Sequence, residues 1–306
     1  MTITRRRLLT TATAGLALAA LPRWRAHASL SLGDWQIDTL SDGVLTLPPD
    51  FLFGPMPKNR LATALEGTGI DPTAPLTPPC NVTLLRGRDR VVLVDVGSGT
   101  AFQDGVGLLP DALDALGVAP EDVTDVIFTH AHPDHLWGVL DDFDDPMFPE
   151  ARHVIGETEY AYWTDPATLD SIGAARQAFA VGATRRLESL ADSLEVLPDT
   201  AAFVPGVMAR STPGHTPGHL AFEVDGGAAG TALIVGDAIG NDHVAFTAPD
   251  MISGADQDRE TAVQTRTDLL AEAASEGTAI VGYHLRGGGL GRVETAGAAY
   301  RFVPEG

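Results

Sequence analysis

The stretch Thr129-His130-Ala131-His132-Pro133-Asp134-His135 gathers three imidazoles and a carboxylate directly after the apolar run Val126-Ile127-Phe128. That run has the β-branched and aromatic character of a buried strand. On an extended backbone residues two apart share a face, so His130 and His132 point the same way. Pro133 favours a change of direction, which leaves Asp134 and His135 free to point elsewhere. A single stretch can therefore feed two neighbouring metal ions. Neutral imidazole suits zinc, iron and copper, and the carboxylate adds a hard anionic ligand. The chain has only nine His in 306 residues, so a chance polar loop of this composition is a poor account. The residues read as a metal site.

Further motifs follow in order. Val92-Leu93-Val94-Asp95-Val96-Gly97 is an apolar run ending in Asp and Gly, and Ile234-Val235-Gly236-Asp237 has a similar form. Thr212-Pro213-Gly214-His215-Thr216-Pro217-Gly218-His219 is a rigid Pro- and Gly-rich segment with two His, and Gly282-Tyr283-His284 closes another apolar run. Together with His-x-His-x-Asp-His, this series resembles the metallo-β-lactamase superfamily over residues 92 to 284. The resemblance implies an α/β fold, the αββα sandwich. It also implies His130, His132 and His215 on one metal, Asp134, His135 and His284 on a second, and Asp237 bridging them. Zinc is the expected ion in both places. His219 is expected to be structural, because Leu220 begins a strand and the family pattern uses the first His. Asp95 is expected to hold the ligand loop, and His243 could line the pocket or lie on the surface.

Open coordination positions mark a catalytic site rather than a closed structural one. Two divalent ions about 3.5–4 Å apart can hold a hydroxide, since metal binding can lower the pKa of water to about 7. That hydroxide would attack a carbonyl carbon or phosphorus while the metals stabilise the developing charge. Asp134 or Asp237 would relay a proton to the leaving group. No Ser or Cys nucleophile is required, and the lone Cys80 lies outside every motif.

Elements must carry these groups to one place. The pattern predicts strands at 32–40 and 44–47 around a Ser41-Asp42-Gly43 turn, at 81–85, and at 91–96. The metal motif rides on a strand over 125–129, with a short helix from Asp134 to Leu140. Leu109, Ala112, Leu113 and Leu116 have helical spacing closed by Gly117. Further strands are expected at 152–155, 207–211, 220–224, 232–235 and 279–282. Helices are expected at 157–163, 167–190 and 258–274. Residues 48–79, rich in Pro and Gly, read as a long loop with one short helix near Leu61. Strands interleaved with helices agree with a layered α/β architecture.

Met1 to Ala28 reads as a separate targeting segment: Arg5-Arg6-Arg7-Leu8-Leu9 resembles a twin-arginine motif, a weak apolar stretch follows, and Ala26-His27-Ala28 offers a cleavage site. The expected compartment is the periplasm, with residues 29–306 forming one catalytic domain. The apolar stretch is too short to span a bilayer, which needs about 20 residues, so no stable membrane association is expected. Without this segment 15 basic residues face 41 acidic ones. Such a surface repels nucleic acid and argues against nuclease chemistry. A single cysteine allows no internal disulfide. The oligomeric state stays open, a homodimer included.

Within the superfamily the chain resembles the methyl parathion hydrolase and lactonase-like branch. Leu32-Gly33-Asp34-Trp35, Phe148-Pro149, the 157–163 segment and Tyr300-Arg301-Phe302-Val303-Pro304 carry that likeness. Arg286-Gly287 departs from the apolar segment of those relatives, and Trp137 is bulkier than usual. The branch implies a small, neutral, hydrophobic substrate such as an acyl-homoserine lactone or ester, with phosphotriesters as side substrates. Trp163, Trp137, Phe51 and Phe53 are the candidate pocket aromatics. A glyoxalase II-type thiolester hydrolase and a mononuclear-iron sulfur dioxygenase are the alternatives. The first binds an anionic substrate with basic residues, which suits a chain with the single lysine Lys58 poorly.

Overall fold

Fourteen strands form two seven-stranded sheets in the computed structural model, which describes residues 28–305. The predicted targeting segment falls outside the described residues except for Ala28, which opens the first strand. Sheet one runs β1 (Ala28–Leu32), β2 (Trp35–Val44), β3 (Pro79–Gly87), β4 (Arg90–Val94), β5 (Asp125–Ile127), β6 (Arg152–Gly156) and β7 (Leu194–Leu197), in that spatial order. Its first four strands are antiparallel neighbours, and β4 to β7 are parallel. Sheet two holds β8 (Ala202–Val204), β9 (Val207–Ser211), β10 (Leu220–Asp225), β11 (Thr231–Gly236), β12 (Ala279–Gly282), β13 (Leu290–Ala296) and β14 (Ala299–Pro304). Only β11 and β12 are parallel neighbours there.

The sheets pack face to face over a core of Trp35, Ile37, Val92, Val94, Phe222 and Ile234. On the outer face of sheet one, Leu93, Val126 and Phe128 pack against the helices Leu109–Leu116 and Gln177–Ser189. On the outer face of sheet two, Leu233, Val235 and Ile280 cover Leu269, Leu270 and Ala273 of the helix Arg259–Glu276. Alternating apolar residues thus serve two layers at once, which is the αββα sandwich. Among the described residues no helix is long and apolar enough to cross a membrane.

Three local expectations need correction. Ser41-Asp42-Gly43 is no turn: β2 continues through it with a bulge, and Gly43 takes φ 107°. Asp42 is buried there and accepts from the backbone N–H groups of Ser98 (2.8 Å) and Leu109 (3.0 Å), so it fixes two loops. The single helix expected over 167–190 is broken into Pro166–Ser171 and Gln177–Ser189 by Gly173 at φ 89°. The 48–79 loop holds two short helices, Pro49–Phe53 and Lys58–Ala64, around a satellite core of Phe53, Met56 and Leu61.

Candidate metal centre

Parallel neighbours end side by side, and both sheets use this. β4 and β5 deliver Asp95 and the 129–135 loop at one edge, while β11 and β12 deliver Asp237 and His284 at the facing edge. Asn81 on β3 ties the two edges together. Its backbone N–H donates to the Tyr283 carbonyl (2.9 Å), and its side-chain amide donates to the carbonyls of Tyr283 and Leu285 (2.8 Å each). Tyr283 in turn donates its hydroxyl to the Asp134 carbonyl at 2.5 Å. Beyond β5 the chain bends at Thr129, is extended at His132 and then enters the helix Pro133–Leu136, with Pro133 at its first position.

The nitrogens of His130, His132 and His215 converge within 4.8 Å of one another. His132 Nδ1 lies 3.0 Å from His130 Nε2 and 2.9 Å from His215 Nε2. Each outward nitrogen has a partner: Thr129 Oγ1 for His130 Nδ1 (3.0 Å) and Asp256 Oδ1 for His215 Nδ1 (3.1 Å). Beside this group, His284 Nε2 lies 3.2 Å from Asp134 Oδ2, and His135 Nε2 lies 3.5 Å from the same oxygen. Asp237 stands between, with Oδ1 3.4 Å from His135 Nε2 and Oδ2 3.3 Å and 3.4 Å from the Nε2 atoms of His215 and His284. All seven residues expected to carry metal are therefore adjacent. Asp95 accepts from the Thr129 backbone and hydroxyl (2.8 Å each) and contacts His135 Nδ1 (2.8 Å), which leaves His135 Nε2 turned inward. This is the loop-holding position expected for it.

Charges among these side chains are matched in a particular way. Burial, then the neighbouring His135, hold His130 well below the usual imidazole range; burial and His215 do the same to His132. Burial would also lower His135, but Asp237, Asp134 and Asp95 outweigh it and raise this imidazole to about 10. His284 is likewise raised well above its ordinary value, against the cost of burial, by Asp237 and Asp134. In return, and again against burial, His284, His135 and His215 hold Asp237 well below the carboxylate range. The carboxylates thus make this side of the site favour positive charge. His135 Nε2 and Asp237 Oδ1 nevertheless find no hydrogen-bond partner although both are buried. Facing nitrogens that cannot all donate, together with orphaned inward atoms, fit a divalent cation donor set better than a hydrogen-bonded polar core.

The other candidates are sorted by position. His219 is fully engaged: its Nδ1 meets Thr212 Oγ1 (2.8 Å) and its Nε2 accepts from the Asp237 backbone N–H (3.0 Å), so it seats Asp237. His243 lines the cavity above the donors, edge-on to Phe53 at 5.8 Å. That cavity measures about 640 Å³ and has His132, Asp134, His215, Asp237 and His284 in its floor. Of the four expected pocket aromatics only Phe51 lines it. Trp163 lies beneath His132, ring centroids 5.7 Å apart, and spends its N–H on Glu159 Oε1 (2.6 Å). Trp137 packs under Arg186, and Phe53 belongs to the satellite core. The aromatic wall is instead made by Phe102 and Phe179, which sit 6.0 Å apart, with Phe179 also 5.8 Å from His132.

Sequence reasoning also passed over Asp256, Glu159 and Cys80. Asp256 joins His215 to Arg266 (3.4 Å) across a span of 41 residues, and no local pattern marks it. The Cys80 sulfur clusters with Asp134 and His284, where burial pushes its thiol up to about 12.

The model of the metallo-beta-lactamase superfamily matches residues 77–284, more than half of the chain. The chain belongs to that superfamily. A probable metallo-hydrolase of Bacillus subtilis (strain 168), YflN, is 30% identical over 122 residues, which cover 37% of this chain and 44% of that protein. The match thus spans less than half of this relative's length. The crystal structure of AbOPH, a hydrolase of the beta lactamase superfamily, superposes with a TM-score of 0.83 at 25% identity over 91% of this chain and 97% of its own. AidC, a dizinc quorum-quenching lactonase solved with an N-hexanoyl-L-homoserine product, gives 0.83 at 23% identity with the same coverage. Family, fold and donor clusters together are those of a metal-dependent hydrolase that binds divalent cations.

Proposed function

We propose that the protein is a binuclear metal-dependent hydrolase of neutral lactones or esters, acyl-homoserine lactones being the leading candidates and phosphotriesters side substrates. The adjoining donor groups that gather the seven expected ligand residues, with Cys80 beside Asp134 and His284, at the floor of a largely apolar cavity carry this reading. His130, His132 and His215 would hold one ion, Asp134, His135 and His284 the other, and Asp237 both; zinc suits this imidazole-rich set. When bound, the pair supplies Lewis acidity and an activated water.

The chain's own residues divide the remaining work. Asp134 lines the cavity, where it could return a proton to the leaving oxygen. Asp237 keeps its carboxylate ionised, the form in which it could hold the cations that would face a substrate oxygen as it becomes anionic. Leu45, Leu47, Phe51, Ile70, Phe102 and Phe179 give one side of the cavity an apolar wall suited to an acyl chain. A charged arm would lose its solvation there without finding a partner. The two guanidinium groups lining the cavity are already paired, Arg266 with Asp256 and Arg286 with Asp242. That counts against capture of a glutathione thiolester.

AidC, a dizinc lactonase by its description, lends the lactone class support through a shared fold only. The exported, periplasmic setting proposed for the protein rests on the Arg5-Arg6-Arg7 segment. The decisive experiment is a panel of lactones, aryl esters, phosphotriesters, β-lactams and glutathione thiolesters on the zinc-loaded protein. Lactones or neutral esters are expected to have the highest kcat/KM. Inert lactones and esters beside rapid turnover of a β-lactam or thiolester would overturn the assignment.

A further inference from the structure

Glu159 is a buried carboxylate near the centre that, unlike Asp95 and Asp256, contacts no imidazole of the donor set, and its surroundings are unusual. The residue is 1% exposed, sits in the first turn of the helix Glu157–Thr164, and faces four donors with two oxygens. Oε1 accepts the Ala131 backbone N–H (2.9 Å) and the Trp163 indole N–H (2.6 Å). Oε2 accepts the Thr216 hydroxyl (2.7 Å) and the Gly218 backbone N–H (3.1 Å).

These donors come from two separate loops. Ala131 lies between His130 and His132, while Thr216 and Gly218 follow His215. The loops belong to different sheets, and their His nitrogens must meet at distances near 3 Å. Gly218 packs so closely on this helix that an added Cβ would fall 2.1 Å from the Glu159 backbone nitrogen. The contact leaves no slack, and the loop has only one height at which it can sit. Trp163, held by the same oxygen as Ala131, lies edge-on against His132 and blocks its ring from the far side.

We propose that Glu159 is a positioning residue that staples the His130–His132 loop to the His215 loop and thereby sets the geometry of the three-imidazole metal site. It reaches no metal itself. A carboxylate suits the task because it is acceptor-only: all four approaching groups are donors, and an amide would set its donor NH2 against two of them. Burial raises the Glu159 carboxyl, and the four donors counter that rise. The inference rests on the metal assignment given above and adds a claim about one site only. The Asp134–His284 side is held by Asn81 and Tyr283 and should not feel the staple.

The test compares Glu159→Gln, Thr216→Val and His130→Ala with wild type by competitive zinc titration against a chelator, resolving the two binding steps. Changes to groups that orient metal ligands typically cost ten- to a hundred-fold in affinity. Glu159→Gln is expected to weaken one step by about tenfold or more and leave the other within about twofold. Thr216→Val should weaken the same step by less. Hydrogen exchange at the Ala131 and Gly218 amides should accelerate in Glu159→Gln without a matching change across β11 and β12. Equal weakening of both steps, or no weakening of either, overturns the staple. His130→Ala separates the two claims: retention of both zinc ions in that variant would sink the metal assignment itself. Should Glu159→Gln fail to fold, Thr216→Val decides, and an unchanged zinc affinity there refutes the proposal.

Discussion

Replacing Asp237 by Asn keeps the side-chain volume and removes one negative charge at the point where both donor clusters meet. Its oxygens lie 3.3–3.4 Å from nitrogens of His135, His215 and His284. Groups at that separation are within ordinary ion-pair range. At about 3.4 Å and an effective dielectric near 20, two unit charges interact by about 5 kcal/mol, a lower bound for a ligand oxygen, which would sit nearer its cation at about 2.0–2.2 Å. An Asn carbonyl would restore part of this through its dipole, and a loss of even half corresponds to nearly two orders of magnitude in affinity. An amide also has one acceptor oxygen rather than two, so it cannot serve both ions. The Asp237 backbone N–H still donates to His219, which argues that the loop itself will survive the change. We expect Asp237→Asn to retain the fold, to lose about 100-fold in affinity for at least one ion, and to lose most of its kcat. Elemental analysis after equilibration with chelator-buffered zinc, alongside circular dichroism and kcat/KM, measures all three. A folded variant holding two ions per chain, with kcat/KM within tenfold of wild type, would refute the bridging role.

Two other outcomes follow from groups that are not themselves proposed as metal ligands. Burial holds His153 at about 4, with Ser193 on one nitrogen and no partner on the other, so the unfolded chain takes up this proton first. Its contribution is complete above pH 6.5 and is lost as the pH falls toward 4, by about 3 kcal/mol across the window; urea unfolding should show a shallower acid decline in His153→Phe, and identical slopes would contradict this. In an acyl-chain series, each methylene buried against Phe51, Phe102 and Phe179 adds up to about 0.8 kcal/mol, roughly fourfold in kcat/KM. Phe179→Ala should flatten that dependence, whereas equal losses on short and long chains would remove Phe179 from substrate contact.

What the sequence made legible depends on how far each residue's role reaches along the chain. His130, His132, Asp134 and His135 share one loop, and their spacing alone announces two directions of ligation. Asp237 and His284 could be found because each follows an apolar strand, and parallel pairing of β11 with β12 brings such strand ends together. The bulge at Ser41-Asp42-Gly43 has the composition of a turn, so the local sequence does not distinguish the two. Only the tertiary fold shows Asp42 turned inward to accept from Ser98 and Leu109. The pocket aromatics fared worst for a related reason. Trp163 follows the metal motif closely enough to look like a wall, yet its N–H needed a buried acceptor, and Glu159 beneath His132 supplies one. Phe102 and Phe179 come from a loop and a helix whose patterns are unremarkable, and they reach the cavity only because the segments flanking the metal loop fold back over it. Asp256 meets His215 from 41 residues away, and Glu159 meets Ala131 and Gly218, neighbours of the two His loops, from 28 and 59 residues away. Ligands are constrained by local backbone geometry and so leave a local signature. The groups that orient them are constrained only by where two loops meet, and nothing near them in the chain records that meeting.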